Sequence, residues 1–266
     1  MGVRDRFQQY LGIPVEQMLL AHWETERTGR AAIERRGLPR RAVEQRLGEA
    51  LILHVDPREL IRINAWKGYP HRERPSSSAF IWDGEWDLRR GDLRYGPRYR
   101  FISELDVFRD DLRQTARFKE LNERLQAGRP WSSHQQGILL DTEAKILTYL
   151  RAYLSFLDNM AVKGFDAGLG KDDLGVAVTR EGRLIKINRG LHRLAMAQRL
   201  GLPSVPVRVK AVHREWWQRV TQGAQGTQAL ERGKDALQRC VPETEPGELD
   251  PEVITEAFQW PVPRVS

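Results

Sequence analysis

The chain has 266 residues, and its 43 Lys and Arg against 36 Asp and Glu give a formal net charge of +7. This length predicts one or two domains, eight Trp residues argue against a disordered protein, and no apolar run approaches the roughly 20 residues of a membrane span. The single Cys240 has no partner for an internal disulfide, which predicts a protein of the reducing cytoplasm. The lack of a long apolar run predicts that it has no membrane partner.

The first predicted region, residues 1–136, is helical and then irregular. Up to about residue 69, Leu residues and Trp23 alternate with Ala, Glu, Gln and many Arg, which predicts helices with a basic face. That face either is simply solvated or contacts nucleic acid, and the mild charge surplus favours the solvated interpretation. Asp56 and Pro57 predict the N-cap and first residue of a short helix through Ile63.

An irregular stretch follows to residue 136. Its segment Trp82-Asp83-Gly84-Glu85-Trp86-Asp87 mixes aromatic and acidic side chains, as carbohydrate-recognition loops do, but a turn anchored by its tryptophans is the favoured interpretation. A helix is predicted from Phe108 to Leu125, closed by Gly128-Arg129-Pro130. Loops of this length inside a folded protein usually either have a function or are poorly ordered.

The second predicted region, residues 137–215, has the clearest pattern. Asp141 predicts the cap of a helix whose apolar residues recur at helical spacing until Gly164 ends it. Alternating apolar residues on both sides of Glu181-Gly182 predict a β-hairpin. Gly190 leads into a second helix that Gly201 ends. A final strand is predicted from three alternating valines, Val205, Val207 and Val209.

The third predicted region, residues 216–266, contains a short helix near Gln228–Gln238 and an acidic, Pro-rich tail from Glu243 to Glu256 that is expected to be weakly ordered. The order helix, strand, strand, helix, strand in the second region, preceded by helical and irregular sequence, predicts an α+β fold.

The segment that carries chemistry runs from Ile185 to Ala197, where a strand passes through a glycine turn directly into a helix. The N–H groups of a helix N-terminus favour an anion, and His192 and Arg193 add donors suited to phosphate oxygens. Their charge opposes the helix dipole, and a bound anion would compensate for it. The sequence therefore predicts a phosphate site, with capping or pairing to Asp166 or Asp173 as the alternative. Its predicted residues are Arg189, Gly190, Leu191, His192 and Arg193.

This segment also resembles a known family. Gly190-Leu191-His192-Arg193-Leu194-Ala195, followed by Leu200-Gly201-Leu202-Pro203-Ser204-Val205-Pro206-Val207-Arg208-Val209, is similar to the G-x-H/R-R helix start and the downstream strand of the ParB/sulfiredoxin superfamily. The resemblance covers about residues 139–213 and includes the predicted hairpin in the expected order. It implies a small mixed sheet with helices, and nucleotide phosphates bound by Gly190, His192 and Arg193.

Three departures from the family pattern narrow the function. Sulfiredoxins have a catalytic Cys where this chain has Leu191, so sulfinic-acid reduction is not expected. ParB proteins continue into a helix-turn-helix domain, whereas here a short Gln/Gly-rich and acidic segment follows, so chromosome partitioning is not expected. Many members have Asp where this chain has Arg189, which either removes a group that positions metal or substrate or adds a phosphate contact.

The resemblance thus implies a module that binds ATP or another nucleotide, with phosphoryl transfer to a small-molecule or sugar-like hydroxyl as the favoured activity. Such a reaction needs Mg²⁺ and a carboxylate that orients the acceptor. Asp172 and Asp173, just before the hairpin, are favoured over Asp166 and Glu181, although each could be a solvated loop acid.

Alternatives of other classes remain open. One is a non-catalytic ParB-like module that binds nucleic acid or regulates, and another is a scaffold without ligand. The six His residues have no metal-ligand spacing, so no metal site built from protein ligands is expected.

Overall fold

The computed structural model describes residues 13–26, 28–65, 74–133, 137–170, 173–187, 189–250 and 258–264, and it confirms the α+β fold. The chain forms two compact units, each assembled from separate segments: residues 1–91, 172–189 and 206–254 in the first, and residues 92–171, 190–205 and 255–266 in the second. Each unit therefore takes segments from all three regions predicted from the sequence. Among the described residues, no helix combines the length and apolar character of a membrane span.

The helices of the described residues are labelled in chain order. They are α1 (Ile13–Thr25), α2 (Arg30–Arg35), α3 (Arg40–Leu47), α4 (Pro97–Val107), α5 (Ala116–Gln126), α6 (Glu143–Lys163), α7 (Leu191–Leu200), α8 (Arg214–Thr221) and α9 (Thr227–Leu237). The strands are β1 (Ile52–Val55), β2 (Arg62–Asn64), β3 (Ile81–Trp82), β4 (Arg90–Asp92), β5 (Trp131–Ser133), β6 (Ile138–Leu140), β7 (Gly175–Val178), β8 (Arg183–Lys186), β9 (Val205–His213) and β10 (Val241–Pro242).

The larger sheet is mixed. Its strands run in the order β1-β9-β7-β8-β2-β4, with β3 added to β9 and β10 added to β8. β7 pairs antiparallel with β8 and parallel with β9. Because β7 lies between two neighbours, all four of its residues are buried and apolar or glycine. The core of the first unit packs around it, with Trp82, Trp86, Ile185 and Ile187 among its buried residues.

The predicted hairpin and the elements after it are confirmed. Gly182 has φ of +92°, a conformation that suits glycine in the turn between β7 and β8. Gly190 precedes α7, Gly201 follows it with φ of +71°, and the three valines lie in β9. Gly164 ends α6, although the side chain of Thr142, not Asp141, caps its start.

The helix predicted after Asp56 and Pro57 is wrong. The Asp56 carboxylate accepts the N–H of Arg58 at 2.7 Å, which closes a single turn, and the chain then enters β2. Ile63 on β2 pairs with Lys186 on β8, so pairing with a distant strand overrides the local helix signal. Among the described residues of the first predicted region, β1 to β4 join the larger sheet and β5 joins the smaller one, and helical spacing predicts none of these strands.

The helix predicted from Phe108 to Leu125 begins later than expected. α4 ends at Val107, and α5 starts at Ala116 because the Thr115 hydroxyl caps it by accepting the N–H of Phe118.

The C-terminal tail, predicted to be weakly ordered, instead makes specific contacts where it is described. Glu243 is buried and forms an ion pair with Arg90 at 2.9 Å, and residues 251–257 lie outside the described part.

The acidic and aromatic segment from Trp82 to Asp87 forms the anchored turn that was the favoured interpretation. Trp86 and Asp87 are buried. Asp87 accepts hydrogen bonds from the backbone and guanidinium of Arg180, and the Nε2–H of His213 donates to the carbonyl of Gly84, 2.9 Å away. Trp86 and Asp87 therefore have a structural role within the first unit.

The basic N-terminal helices are partly neutralised within the first unit. Arg40 pairs with Glu44 at 2.7 Å and Arg46 pairs with Glu24 at 3.0 Å. Arg30 donates to the carbonyl of Trp23 at 2.8 Å. These contacts favour a structural role for part of the basic face.

Candidate functional site

The predicted phosphate turn begins at the end of β8, in the first unit. Lys186 is 0 % exposed, and its ammonium donates to the carbonyl oxygens of Gly175, Ile187 and Arg189 at 3.1, 2.5 and 2.6 Å. A buried ammonium needs such acceptors because desolvation is costly. Lys186 therefore holds the backbone that leads out of the strand, while the Arg189 side chain is exposed.

The other side of the turn belongs to the second unit. Gly190 has φ of +83°, which favours glycine at this position, and its carbonyl accepts the N–H of Leu194 in the first bond of α7. α7 buries Leu194, Ala195 and Ala197 as the sequence predicts. Leu191 and the two residues after it remain half-buried.

Arg193 turns toward the loop after α6. Its guanidinium donates to the carbonyl of Asp166 and lies 4.4 Å from the ring centroid of Phe165, a cation–π distance. A Cβ at Gly170 would come within 2.0 Å of its Nη1, so Gly170 leaves room for this side chain. These contacts favour a role for Arg193 in holding the loop after α6 against α7. Its contact with phosphate stays a prediction.

His192 faces a cleft of about 750 Å³ within the second unit, a volume typical of small-molecule sites. α4, α5, α6, β5 and the start of α7 line it. Its lining includes the charged and aromatic side chains of Arg98, Arg100, Phe101, Glu104, Arg117, Glu120, Trp131, Tyr149, Tyr153 and His192.

Aromatic rings surround His192. Its ring centroid lies 5.1 Å from that of Tyr153 and 6.0 Å from that of Phe101. Burial, together with the positive charge of Arg98, lowers the pKa of His192 to about 4. His192 is therefore neutral at pH 7, so it presents one N–H donor and one ring-nitrogen acceptor rather than a cation, and it does not oppose the dipole of α7.

The Tyr153 hydroxyl is also held in its neutral form. Burial, and then a side-chain hydrogen bond with Tyr149, raise the pKa of Tyr153 to about 12. Both tyrosine hydroxyls thus supply polar groups beside the apolar ring faces of the cleft.

Three arginines give the cleft its charge. Arg117 pairs with Glu120 at 2.6 Å, and the Glu104 carboxylate accepts the N–H of Ala116 at 2.8 Å. Arg98 and Arg100 are exposed and form no ion pair with a carboxylate of the described part of the chain. The two acids of the cleft are therefore engaged by protein donors, whereas two guanidinium groups remain open to an anion.

Of the two predicted catalytic carboxylates, Asp173 is not among the lining residues of the cleft. Asp172 lies outside the described residues. Asp173 belongs to the first unit, where it pairs with Arg208 at 2.8 Å and with Lys210 at 3.3 Å. Burial raises the pKa of Asp173, but the charges of Arg208 and Lys210 lower it more, so its pKa lies below the ordinary value. Asp173 is a charged, paired carboxylate, and its catalytic role stays a prediction.

The residues of the cleft fit Mg²⁺ only together with phosphates. Mg²⁺ takes oxygen ligands and usually binds through one or two carboxylates plus substrate phosphates. Glu104 and Glu120 are the carboxylates among the lining residues, and no group of three or more His, Cys, Asp or Glu able to hold a metal occurs in the described ranges. The donor set suits an ion that arrives with a nucleotide.

The arginines and aromatic rings of the cleft were not identified from the sequence as site residues. Two signals were present: Arg98 and Phe101 are three residues apart, and Tyr149 and Tyr153 are four apart, so each pair shares a helix face. Only the packing of α4, α5 and α6 reveals that these faces meet at His192.

Comparisons with protein-family models, curated proteins and solved structures return no match to this chain. The ParB/sulfiredoxin-like assignment therefore rests on the residues quoted for it and stays a prediction.

The neutral His192 predicts a specific pH dependence. The unfolded residue binds a proton near pH 6.5 and the folded one near pH 4, so the unfolded state holds more protons between these values. The contribution of His192 to the free energy of unfolding is complete above about pH 6.5. It is expected to fall by on the order of 1–2 kcal/mol toward pH 4, allowing for partial exposure. Urea titrations of wild type and His192→Gln measure this, and equal pH slopes would refute it.

Proposed function

We propose that this protein binds a nucleotide in the cleft at the start of α7. The observation that carries the proposal is the combination of half-buried aromatic faces with two open guanidinium groups around a neutral histidine. Aromatic rings stack on a nucleobase, and arginine forks hydrogen-bond phosphate oxygens. Few other small ligands need both an apolar ring surface and a cationic rim.

Each group then has a role in binding. Trp131 and Tyr149, whose ring centroids are 5.7 Å apart, offer faces to the base. Arg98 and Arg100 bind the phosphates, and neutral His192 donates one hydrogen bond to a phosphate oxygen at the helix start. Tyr153, kept protonated, hydrogen-bonds the sugar or base edge.

The proposed activity is phosphoryl transfer to a small-molecule or sugar-like hydroxyl in the cytoplasm. Mg²⁺ supplies charge neutralisation at the phosphates when it is bound with the nucleotide. Arg98 and Arg100 position the phosphates and stabilise the negative charge that develops on them in the transition state. Glu104 is a carboxylate within the cleft that could orient an acceptor hydroxyl, and Asp172 and Asp173 remain the candidates predicted from the sequence.

Isothermal calorimetry with ATP, ADP, CTP and GTP, with and without Mg²⁺, tests the proposal. At least one nucleotide is expected to bind with a Kd in the micromolar range, which corresponds to a binding free energy of about −8 kcal/mol. Absence of binding for all four would overturn the nucleotide proposal. Transfer of labelled phosphate to a panel of hydroxyl acceptors tests the activity separately, with Glu104→Gln and Asp173→Asn as the variants that distinguish the carboxylates. Binding without turnover would support the non-catalytic alternative.

A further inference from the structure

A line of aromatic rings continues from the cleft along α6. Tyr149, Tyr153 and Phe156 follow one another at spacings of four and three residues, so they share one helix face. The ring centroid of Tyr153 lies 5.2 Å from that of Tyr149 and 6.1 Å from that of Phe156. Trp131 extends the series at the other end, beside Tyr149. We call these four side chains the aromatic line.

The aromatic line is more extensive than one nucleotide requires. Trp131, Tyr149 and Tyr153 line the cleft, but Phe156 does not, and it is 58 % exposed. A single exposed Phe is common on a protein surface and needs no ligand, whereas a contiguous apolar patch marks an interaction site, so the neighbours of Phe156 decide its meaning. Its contact with Tyr153 makes it a continuation of the cleft surface rather than an isolated apolar residue.

The arginines of the cleft indicate the chemistry of the ligand that this surface would bind. Arg98 and Arg100 line the cleft without a carboxylate partner in the described ranges, and the guanidinium carbon of Arg117 lies 5.7 Å from the Trp131 ring centroid. Successive aromatic rings bordered by arginines are the feature that binds single-stranded nucleic acid, because every base has a stacking face and every linkage carries a negative charge. An apolar peptide would use the rings but not the open arginines.

We infer that the cleft and the aromatic line together bind a single strand of nucleic acid, with one nucleotide in the cleft and a neighbouring base on Phe156. The inference rests on the proposed nucleotide site and names a polymeric ligand for it. No sequence preference is expected from stacking of this kind.

The test compares short and long ligands. Calorimetry uses UMP and TMP, and fluorescence anisotropy uses labelled oligouridylate and oligothymidylate of about ten nucleotides, a length in the usual range of single-strand sites. The oligonucleotides are expected to bind at least about 10-fold more tightly than the mononucleotides, with salt dependence that reflects phosphate contacts. A matching DNA duplex, whose bases are already stacked, is expected to bind more weakly than either single strand.

Phe156→Ala separates this inference from the proposed function. It should weaken oligonucleotide binding about 5-fold or more, since one base loses the ring on which it stacks, and it should leave mononucleotide binding unchanged. Val162→Ala is the matched control, because Val162 is 85 % exposed on the same helix but is not aromatic. Its oligonucleotide affinity should equal that of wild type.

The outcomes are distinct. Equal affinities for mononucleotide and oligonucleotide, or an unaffected Phe156→Ala variant, would overturn the single-strand inference and leave the nucleotide proposal standing. Tighter binding of duplex than of single strands would also overturn it. If wild type bound neither these ligands nor ATP, ADP, CTP or GTP, both the single-strand inference and the nucleotide proposal would be refuted.

Discussion

Replacing Arg98 and Arg100 together by Ala is expected to weaken nucleotide binding by about 30-fold or more. Hydrogen bonds to charged groups contribute about 1.5–3 kcal/mol each. Of the three arginines that line the cleft, Arg117 pairs with Glu120, which leaves Arg98 and Arg100 to bind phosphate. Because both side chains are exposed, their removal should leave the melting temperature nearly unchanged. Calorimetry with the nucleotide that binds wild type best measures the effect.

Arg151→Ala provides the control for this prediction. Arg151 is an exposed arginine on α6 and does not line the cleft. Its loss changes the net charge without removing a ligand contact, so the affinity should stay within about 2-fold of wild type. If the Arg98/Arg100 double variant bound nucleotide as tightly as Arg151→Ala does, the phosphates would have to lie elsewhere.

The largest effect on stability is expected from Asp87→Asn in the first unit. Asp87 is 0 % exposed, and the Arg180 guanidinium donates to its carboxylate at 2.8 Å. Removing the negative charge leaves a partly buried guanidinium without its counter-charge, which should lower the free energy of unfolding by about 3 kcal/mol. Denaturant titration at pH 7 measures it.

Asp83→Asn is the matched control for Asp87→Asn. Asp83 also pairs with an arginine, Arg214, but its side chain is 59 % exposed. Exposed pairs contribute about 0–1 kcal/mol, so Asp83→Asn should be nearly neutral. Similar losses for the two variants would show that burial is not what makes the Asp87 pair strong.

The effect of Asp87 should depend on pH in one direction. Burial raises the pKa of Asp87, but hydrogen bonds from Arg180 and the nearby charges lower it more, so the folded pKa lies below the ordinary value of 3.8. The folded state thus holds fewer protons, and the stabilisation is full above about pH 4 and declines as the pH falls through the folded pKa. The difference between wild type and Asp87→Asn should shrink in acid.

Local signals predicted the segment from α6 to β9 well. Gly164, Gly182, Gly190 and Gly201 each adopt a positive φ, and such positions are visible in the sequence because the Cβ of any other residue disfavours that conformation of its own backbone. The same reasoning failed at Asp56 and Pro57, where a turn signal resembles a helix start and strand pairing decides the outcome.

The candidate site was predicted only in part. Its centre, His192, followed from the glycine turn before a helix. The direction of the Arg193 side chain could not be predicted from the sequence, since the Phe165 ring and the Asp166 carbonyl that it contacts come from another element. The neutral state of His192 could not be predicted either, because it depends on burial by Tyr153 and Phe101 and on the charge of Arg98.

By itself, the sequence determined the α+β class, the order of elements from α6 to β9, and the turn that presents His192, because backbone conformation and helix termini depend on residues close in the chain. Only the tertiary structure decided that β1 to β4 join the sheet, that Asp87 meets Arg180, and that α4, α5 and α6 bring arginines and aromatic rings around His192. Those contacts join residues far apart in sequence, and the packing that selects them has no local pattern.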